Sequence, residues 1–296
     1  MRHTVPKNKV NLFLVGAAKS GTTSLWSALG RHPDIYITEN ELYKEPAFFC
    51  ELGSKIGIDT YHRLFEKGER CKYRLDASTA YLTSPEAAER IYRYNPDAKI
   101  LIILRNPIER AYSLYCWMTA SGYEWAPTFE KALKLEENRH RLTKPTPLMP
   151  QYYWNYMYKR SGIYSEQIER FTNLFKNNVL ILSYHDLIQS PEKVLSTVFS
   201  YLQLPITQQA FITKENPSKR VLDARITFLA RKINSAYIKL LPWISNSTIR
   251  TRDWLVRMTL KKDAPPPMSE STRKMLENYY RDEFAILKKT YGIIFP

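Results

Sequence analysis

The chain has 296 residues, 44% apolar and 25% charged, a composition typical of a globular protein and unlike collagen, a disordered chain or a disulfide-rich scaffold. Its three cysteines show no C-x-x-C spacing, which argues against a disulfide framework and against a zinc ribbon. The net charge of +15 is typical of proteins that bind an anionic ligand, a nucleic acid or a membrane surface.

The apolar segments are too short to cross a membrane, and the amino-terminal residues lack the apolar stretch of a signal peptide. We therefore expect a cytoplasmic protein without a membrane partner.

Three segments in chain order each contain an apolar strand, a polar loop and an amphipathic helix. Glycine or proline marks the boundaries of these elements. Continuous apolar strands that alternate with helices are typical of a parallel β-sheet with helices on both faces, here of a P-loop-like α/β fold. The predicted strand and helix pairs are 11–15 with 23–29, 100–104 with 107–120, and 179–182 with 191–202.

The remainder of the chain is predicted to be mostly helical. Between Tyr201 and Lys262 there are 12 Lys or Arg and 3 Asp or Glu, so 12 minus 3 gives +9 of the total +15. Proline-rich loops are expected at 144–150 and 263–267, and Ser269 is placed to cap a carboxyl-terminal helix over 269–291. We predict one domain over 1–296, with a core at 9–206 and a basic helical region at 207–262 packed on it.

The segment from Gly16 to Thr23 lies between the first strand and the first helix. A glycine turn that leads into a helix exposes backbone N–H groups at the positive end of the helix dipole, which favours phosphate binding. A nucleotide kinase loop requires lysine directly after its second glycine, and here that position holds Thr22. Lys19 comes two residues before that second glycine, so the loop is better suited to a ligand with one phosphate in the loop and no required metal ion.

Two further segments, read together with this loop, resemble a known family. Lys19-Ser-Gly-Thr-Thr23 looks like the 5'-phosphosulfate loop of sulfotransferases that use 3'-phosphoadenosine 5'-phosphosulfate (PAPS) and release 3',5'-diphosphoadenosine (PAP). Arg105 to Ser113 resembles the 3'-phosphate motif of that family, and Lys44-Glu-Pro-Ala-Phe-Phe49 resembles the segment with the catalytic carboxylate in the heparan-sulfate and bacterial branch.

The resemblance implies a role for each matching residue. Lys19 contacts the 5'-phosphate and the bridging oxygen, Arg105 and Ser113 hold the 3'-phosphate, and the planar guanidinium suits a phosphate dianion. Tyr184 resembles the residue near the adenine, and Ser218, Lys219 and Arg220 resemble a late loop that closes over the 3'-phosphate. The remaining donors to the 5'-phosphosulfate are Ser20, Gly21, Thr22, Thr23 and Ser24.

Glu45 is the candidate general base, with a salt bridge to Lys44 as its alternative role. The histidines His32, His62 and His185 are rival bases, because histidine titrates near neutral pH. The chain departs from the branch at two positions. Ala47 replaces a polar residue, and Ala77, in the Asp76–Tyr81 loop, stands where some carbohydrate enzymes carry lysine.

The resemblance implies transfer of a sulfuryl group from PAPS to a hydroxyl or nitrogen of a small metabolite or natural product, with no metal. A carbohydrate acceptor is an alternative. A P-loop kinase and a nucleic-acid-binding protein are alternatives from other classes, although the required lysine and a recognition motif are missing. We expect a small-molecule partner and no nucleic acid. The sequence leaves the acceptor and the oligomeric state open.

Overall fold

The computed structural model describes residues 9–39, 43–53, 57–142, 146–207, 220–240, 253–261 and 263–296. Within this part a sheet of parallel strands has the spatial order β2-β3-β1-β4-β5. The strands are β1 (Leu12–Gly16), β2 (Ile35–Tyr36), β3 (Tyr73–Asp76), β4 (Lys99–Leu104) and β5 (Val179–Ser183).

Helices follow most of these strands. In chain order the α-helices of the described residues are α1 (Thr22–Leu29), α2 (Ile58–Arg63), α3 (Ala80–Thr83), α4 (Ala87–Tyr94), α5 (Pro107–Ala120), α6 (Phe129–Leu142), α7 (Tyr164–Phe175), α8 (Tyr184–Gln189), α9 (Pro191–Leu202), α10 (Ala224–Leu240), α11 (Trp254–Met258), α12 (Glu270–Tyr279) and α13 (Arg281–Tyr291). No helix among the described residues combines the length and apolar character needed to cross a membrane.

The chain divides into two compact units. The first comprises 1–106, 164–215 and 283–296, and the second comprises 107–163 and 216–282. The first unit contains the whole sheet, and the second is built from helices. A single domain over the whole chain stays a prediction.

The central strand β1 explains why both faces of the sheet are covered. All five of its residues are buried, and successive side chains point to opposite faces of the sheet. Phe13 and Val15 join one apolar cluster, which includes residues of α3, α4 and α7, whereas Leu12 and Leu14 join a second cluster with residues of α1 and α9. The prediction of a parallel α/β sheet flanked by helices is confirmed.

The carboxyl-terminal helix differs from its prediction. Ser269 caps the start as expected and accepts a hydrogen bond from the Thr272 N–H at 3.3 Å. The single helix predicted over 269–291 is wrong, because α12 ends before Tyr280 and α13 begins after it. The Tyr280 ring is fully buried and its hydroxyl donates to the carbonyl of Lys159 at 2.7 Å, so tertiary contacts hold the residue at the break.

A short helix was also missed between β5 and α9. Ser183 caps α8 by accepting a hydrogen bond from the Asp186 N–H. Ser190 and Pro191 start α9 as predicted, although the Ser190 side chain makes no capping hydrogen bond. The basic region contains α10 and α11, and residues 208–219, 241–252 and 262 lie outside the described part of the chain.

Candidate active site

The candidate site is built on loops that leave the carboxyl ends of parallel strands. The segments after β1, β3, β4 and β5 all begin at this edge of the sheet. The strand order changes direction around β1, because β1 pairs with β3 on one side and β4 on the other. Ligands of open α/β sheets bind at such a switch point.

The loop between β1 and α1 has the backbone of an anion-binding turn. Lys19 has φ 67° and Gly21 has φ 81°, so both lie in the left-handed region. Gly21 occupies the N-cap position of α1 and has no side chain to accept hydrogen bonds from the N–H groups of the first turn. These groups are therefore suited to a bound anion.

The small space around residue 21 also requires a glycine. A Cβ atom at this position would lie 2.8 Å from Cδ2 of Leu187 and 3.0 Å from ring atoms of Tyr184. Both neighbours belong to α8, which follows β5. The absence of a side chain therefore lets the loop approach Tyr184 closely.

Ser20 is the observation in this loop that points most directly to a ligand. The residue is fully buried, and its Oγ atom makes no hydrogen bond to any described residue. A buried hydroxyl without a partner costs free energy, on the order of 1–3 kcal/mol. An oxygen-rich anion in the loop would supply the missing partner, so the residues present fit the phosphosulfate group expected from the sequence.

Arg105 extends from the end of β4 to the same loop. Its Nη1 donates to the carbonyl of Lys19 at 3.3 Å, and its guanidinium carbon lies 5.0 Å from the centre of the Tyr184 ring. The Arg105 carbonyl accepts a hydrogen bond from the Tyr164 hydroxyl at 2.9 Å. The structure therefore brings together three candidates that the sequence separates by up to 165 positions, from Lys19 to Tyr184.

The other candidates for 3'-phosphate binding belong to the second unit. Ser113 lies on α5 and is partly exposed. Arg220 pairs with Asp263, with 3.8 Å between Nη1 and Oδ2, and exchanges backbone hydrogen bonds with Asp263 and Lys261. Ser218 and Lys219 lie outside the described residues. The role of these four residues stays a prediction.

Glu45 is held at both carboxylate oxygens. Oε1 lies 3.2 Å from Nζ of Lys44, and Oε2 accepts hydrogen bonds from Oγ1 of Thr79 at 2.7 Å and from its backbone N–H at 3.1 Å. The same Lys44 ammonium donates to Oγ1 of Thr23 at 2.8 Å. The salt bridge considered as an alternative role is thus present, and it connects the candidate base to the helix that follows the phosphate loop.

The segment that contains Glu45 is linked by hydrogen bonds to a buried carboxylate. The Asp76 side chain, at the end of β3, accepts hydrogen bonds at 2.8 Å from the hydroxyls of both Tyr61 and Tyr81, and at 2.5 Å from that of Ser78. Ser78 Oγ in turn accepts the backbone N–H of Ala47 at 2.9 Å. The site residues adjacent to Glu45 are therefore anchored to the end of a central strand.

Burial raises the pKa of Asp76 to about 6, and its hydrogen bonds to Ser78, Tyr81 and Tyr61 partly oppose that rise. The sequence points to the loop from Asp76 to Tyr81 as part of the site but does not indicate a role for Asp76 itself. The signal for Asp76 in the sequence is its position as an acidic residue directly after the apolar residue of a buried strand.

The rival histidines are less suited to proton transfer. His32 is buried, its Nδ1 accepts the Asp34 N–H at 3.0 Å, and its Nε2 therefore donates to the carbonyl of Pro205 at 3.1 Å. His62 lies 3.1 Å from the Tyr94 hydroxyl, and burial lowers its pKa. His185 is exposed on α8. Both nitrogens of His32 are thus used within the fold.

No group of three or more His, Cys, Asp or Glu side chains within the described residues is placed to hold a metal ion. The expectation that no metal is needed stays a prediction.

Comparisons with known proteins identify the family of the chain. The chain is 31% identical over 201 residues to the bifunctional heparan sulfate N-deacetylase/N-sulfotransferase 1 of Xenopus laevis, a match that covers 64% of this chain and 22% of that protein. It is 28% identical over 192 residues to the human heparan sulfate glucosamine 3-O-sulfotransferase 6, covering 64% of this chain and 51% of that protein. The chain thus spans a fifth to a half of the length of these curated relatives.

A solved sulfotransferase from Alicyclobacillus acidocaldarius superposes with a TM-score of 0.67 at 25% identity and covers 96% of both chains. The family model described as a sulfotransferase domain matches residues 9–229, which include all the candidate residues named above. The predicted family is therefore confirmed, and the chain belongs to the sulfotransferase family.

Proposed function

We propose that the protein transfers a sulfuryl group from PAPS to a hydroxyl or nitrogen of an acceptor and releases PAP. The observation that carries the proposal is the buried, unpartnered Ser20 hydroxyl in a loop that also contains Lys19 and contacts Arg105. Bound PAPS supplies an SO3 group on a phosphate oxygen. Lys19, Ser20 and the first-turn N–H groups of α1 hold that phosphate and stabilise its developing negative charge.

Glu45 accepts the proton of the acceptor. Thr79 and Lys44 fix the orientation of its carboxylate, and Lys44 connects it to Thr23 on the first turn of α1. Lys44 thus links the base to the helix that begins at the leaving-group site, and the relative position of the two groups contributes much of the rate of a group transfer. The residues of this chain therefore provide both the charge stabilisation and the proton acceptor.

We further propose a small metabolite as the acceptor. Ala47 and Ala77 are buried, so neither of the positions that carry polar residues in the carbohydrate branch presents a polar side chain here. A carbohydrate acceptor is the second candidate, because the curated relatives named above act on heparan sulfate.

The test is transfer of radiolabelled sulfate from PAPS to a panel of acceptors in the presence of a metal chelator. The panel contains hydroxyl and amine metabolites and N-desulfated heparan oligosaccharides, and each class is scored by the labelled product. PAP release that depends on an acceptor supports the proposal. Magnesium-dependent turnover of ATP without use of PAPS would instead identify a kinase.

A further inference from the structure

Helix α10 exposes apolar side chains and buries polar ones. Thr227 and Asn234 are almost completely buried, together with Ala224 and Phe228. The opposite face exposes more than half of the side chains of Ile226, Leu229 and Ile233, which follow the spacing of one helical face. A row of apolar side chains on the exposed face departs from the usual pattern of a surface helix.

Helix α11 lies beside α10 and exposes further apolar side chains. The two segments are joined by a hydrogen bond of 2.9 Å between Oγ1 of Thr227 and Oγ1 of Thr259, and by an ion pair of 2.8 Å between Arg231 and Asp253. Exposed apolar side chains lie on the α11 side and in the preceding loop, at Leu222, Trp254 and Met258. We call these three residues together with Ile226, Leu229 and Ile233 the α10–α11 surface.

The sequence of this region is rich in positive charge. The sequence from 224 to 252 contains no Asp or Glu and six basic residues, namely Arg225, Arg231, Lys232, Lys239, Arg250 and Arg252. Among the described residues, Arg225, Lys232 and Arg257 are exposed.

The acidic residues at its borders are already engaged. Asp253 pairs with Arg231, and Asp263 pairs with Arg220. The Asp223 carboxylate accepts hydrogen bonds from the N–H groups of Arg225 and Ile226 at the start of α10. Asp223 keeps its negative charge, but the exposed Arg225, Lys232 and Arg257 outnumber it, so this part of the surface keeps a net positive charge.

We propose that the α10–α11 surface docks on an anionic lipid membrane. Apolar side chains bordered by lysine and arginine are the composition of a helix that lies in the membrane interface, with the basic groups on lipid phosphates. An anionic polysaccharide would satisfy the charges but would leave the apolar side chains in water. A second copy of this chain would bring two surfaces of equal charge together. This proposal differs from the expectation from sequence that no membrane is a partner.

Sedimentation with vesicles tests the proposal. The full chain is mixed with vesicles of phosphatidylcholine alone or with about 30 mol% phosphatidylglycerol. The second composition gives the vesicle a negative surface potential, as anionic lipids do in cell membranes. We expect binding to the anionic vesicles only, weakened at high salt because of screening. The variant Ile226→Ser, Leu229→Ser, Ile233→Ser should lose at least about tenfold in vesicle binding, because three apolar side chains no longer enter the interface.

A matched control carries the same number of substitutions elsewhere. Ile206→Ser, Ile286→Ser and Ile294→Ser alter exposed apolar residues of the first unit. The control should bind vesicles as the unmodified chain does, and an unchanged melting shift with PAP should show that both variants are folded. Absence of binding to anionic vesicles would overturn the proposal, as would equal loss in both variants. A dimer in light scattering that dissociates only in the α10 variant would assign the surface to a second copy instead.

Discussion

At the scale of single residues, Glu45 differs from the histidines in what surrounds its side chain. Its carboxylate contacts Lys44 and Thr79 and is partly exposed, with 39% of the side chain accessible, so an acceptor can reach it. His32, in contrast, is enclosed and bonded at both nitrogens. A group that transfers protons needs both a fixed orientation and access to its substrate.

We therefore expect Glu45→Gln to abolish most of the turnover. The amide keeps the shape of the side chain, and its oxygen can still accept from Thr79, but it cannot accept a proton, so kcat should fall by about two orders of magnitude or more. PAP affinity, measured by calorimetry, should remain unchanged because the phosphate loop is intact. The matched control is His185→Ala, which should retain activity. Loss of turnover in the control with survival in Glu45→Gln would identify the histidine as the base.

Asp76 leads to a prediction about pH. Its pKa is raised from 3.8 to about 6, so the folded protein binds this proton more tightly than the unfolded chain. The stability that the neutral carboxyl provides is complete below pH 3.8 and is lost as the pH rises through about 6.

Asp76→Asn removes this titration. The substitution also changes the stability by an amount that is the same at every pH. Beyond that constant, the free energy of unfolding of the variant minus that of the original chain should rise between pH 4 and pH 7, by about 3 kcal/mol at most. Urea unfolding at several pH values measures the difference. Ser78→Ala keeps the carboxylate but removes a hydrogen bond that lowers its pKa, so it should move the pH dependence to higher pH. A difference in stability that is constant across the range would show that Asp76 does not titrate there.

At the scale of elements, the strands and their following helices were predictable because they depend on local patterns. Helix α5 has the predicted bounds, since proline at a first helical position and an apolar strand before it are both local signals. The break at Tyr280 depends on tertiary contacts, which one sequence does not display. The short helix α8, in contrast, has a local signal in the Ser183 cap. The close packing of Tyr184 against Gly21 is also a tertiary contact, because the two residues are remote in sequence.

Gly21→Ala should damage both the fold and the site. The left-handed backbone strains any side chain, and a Cβ would lie 2.8 Å from Leu187, so the loop or the Leu187 side chain must shift. We expect a loss of about 1–3 kcal/mol in unfolding free energy and a clear loss of PAP affinity. Gly57→Ala is the control, because Gly57 has φ −68° and a Cβ there would meet no atom within 4 Å. Equal stability and PAP binding in the two variants would contradict the assigned role of Gly21.

At the scale of the whole molecule, the candidate residues divide between the two compact units. Lys19, Glu45, Arg105 and Tyr184 belong to the first unit, whereas Ser113 and Arg220 belong to the second. The structure supports the grouping within the first unit through direct contacts. The assignment of Ser113 and Arg220 to the 3'-phosphate rests on sequence resemblance and stays a prediction.

Discrimination between PAP and AMP tests this assignment, because AMP lacks only the 3'-phosphate. At about 100 times its dissociation constant, PAP should stabilise the fold by about 2.7 kcal/mol, and AMP at the same concentration should stabilise it far less. Arg105→Ala should reduce the effect of PAP to that of AMP, because the guanidinium fork on the phosphate is lost. Ser113→Ala should move it in the same direction by a smaller amount. Melting curves with a chelator present make the measurement independent of metal. Equal melting shifts for PAP and AMP in the unmodified protein would remove the 3'-phosphate role from both residues, while the Ser20 loop would keep its role in 5'-phosphate binding.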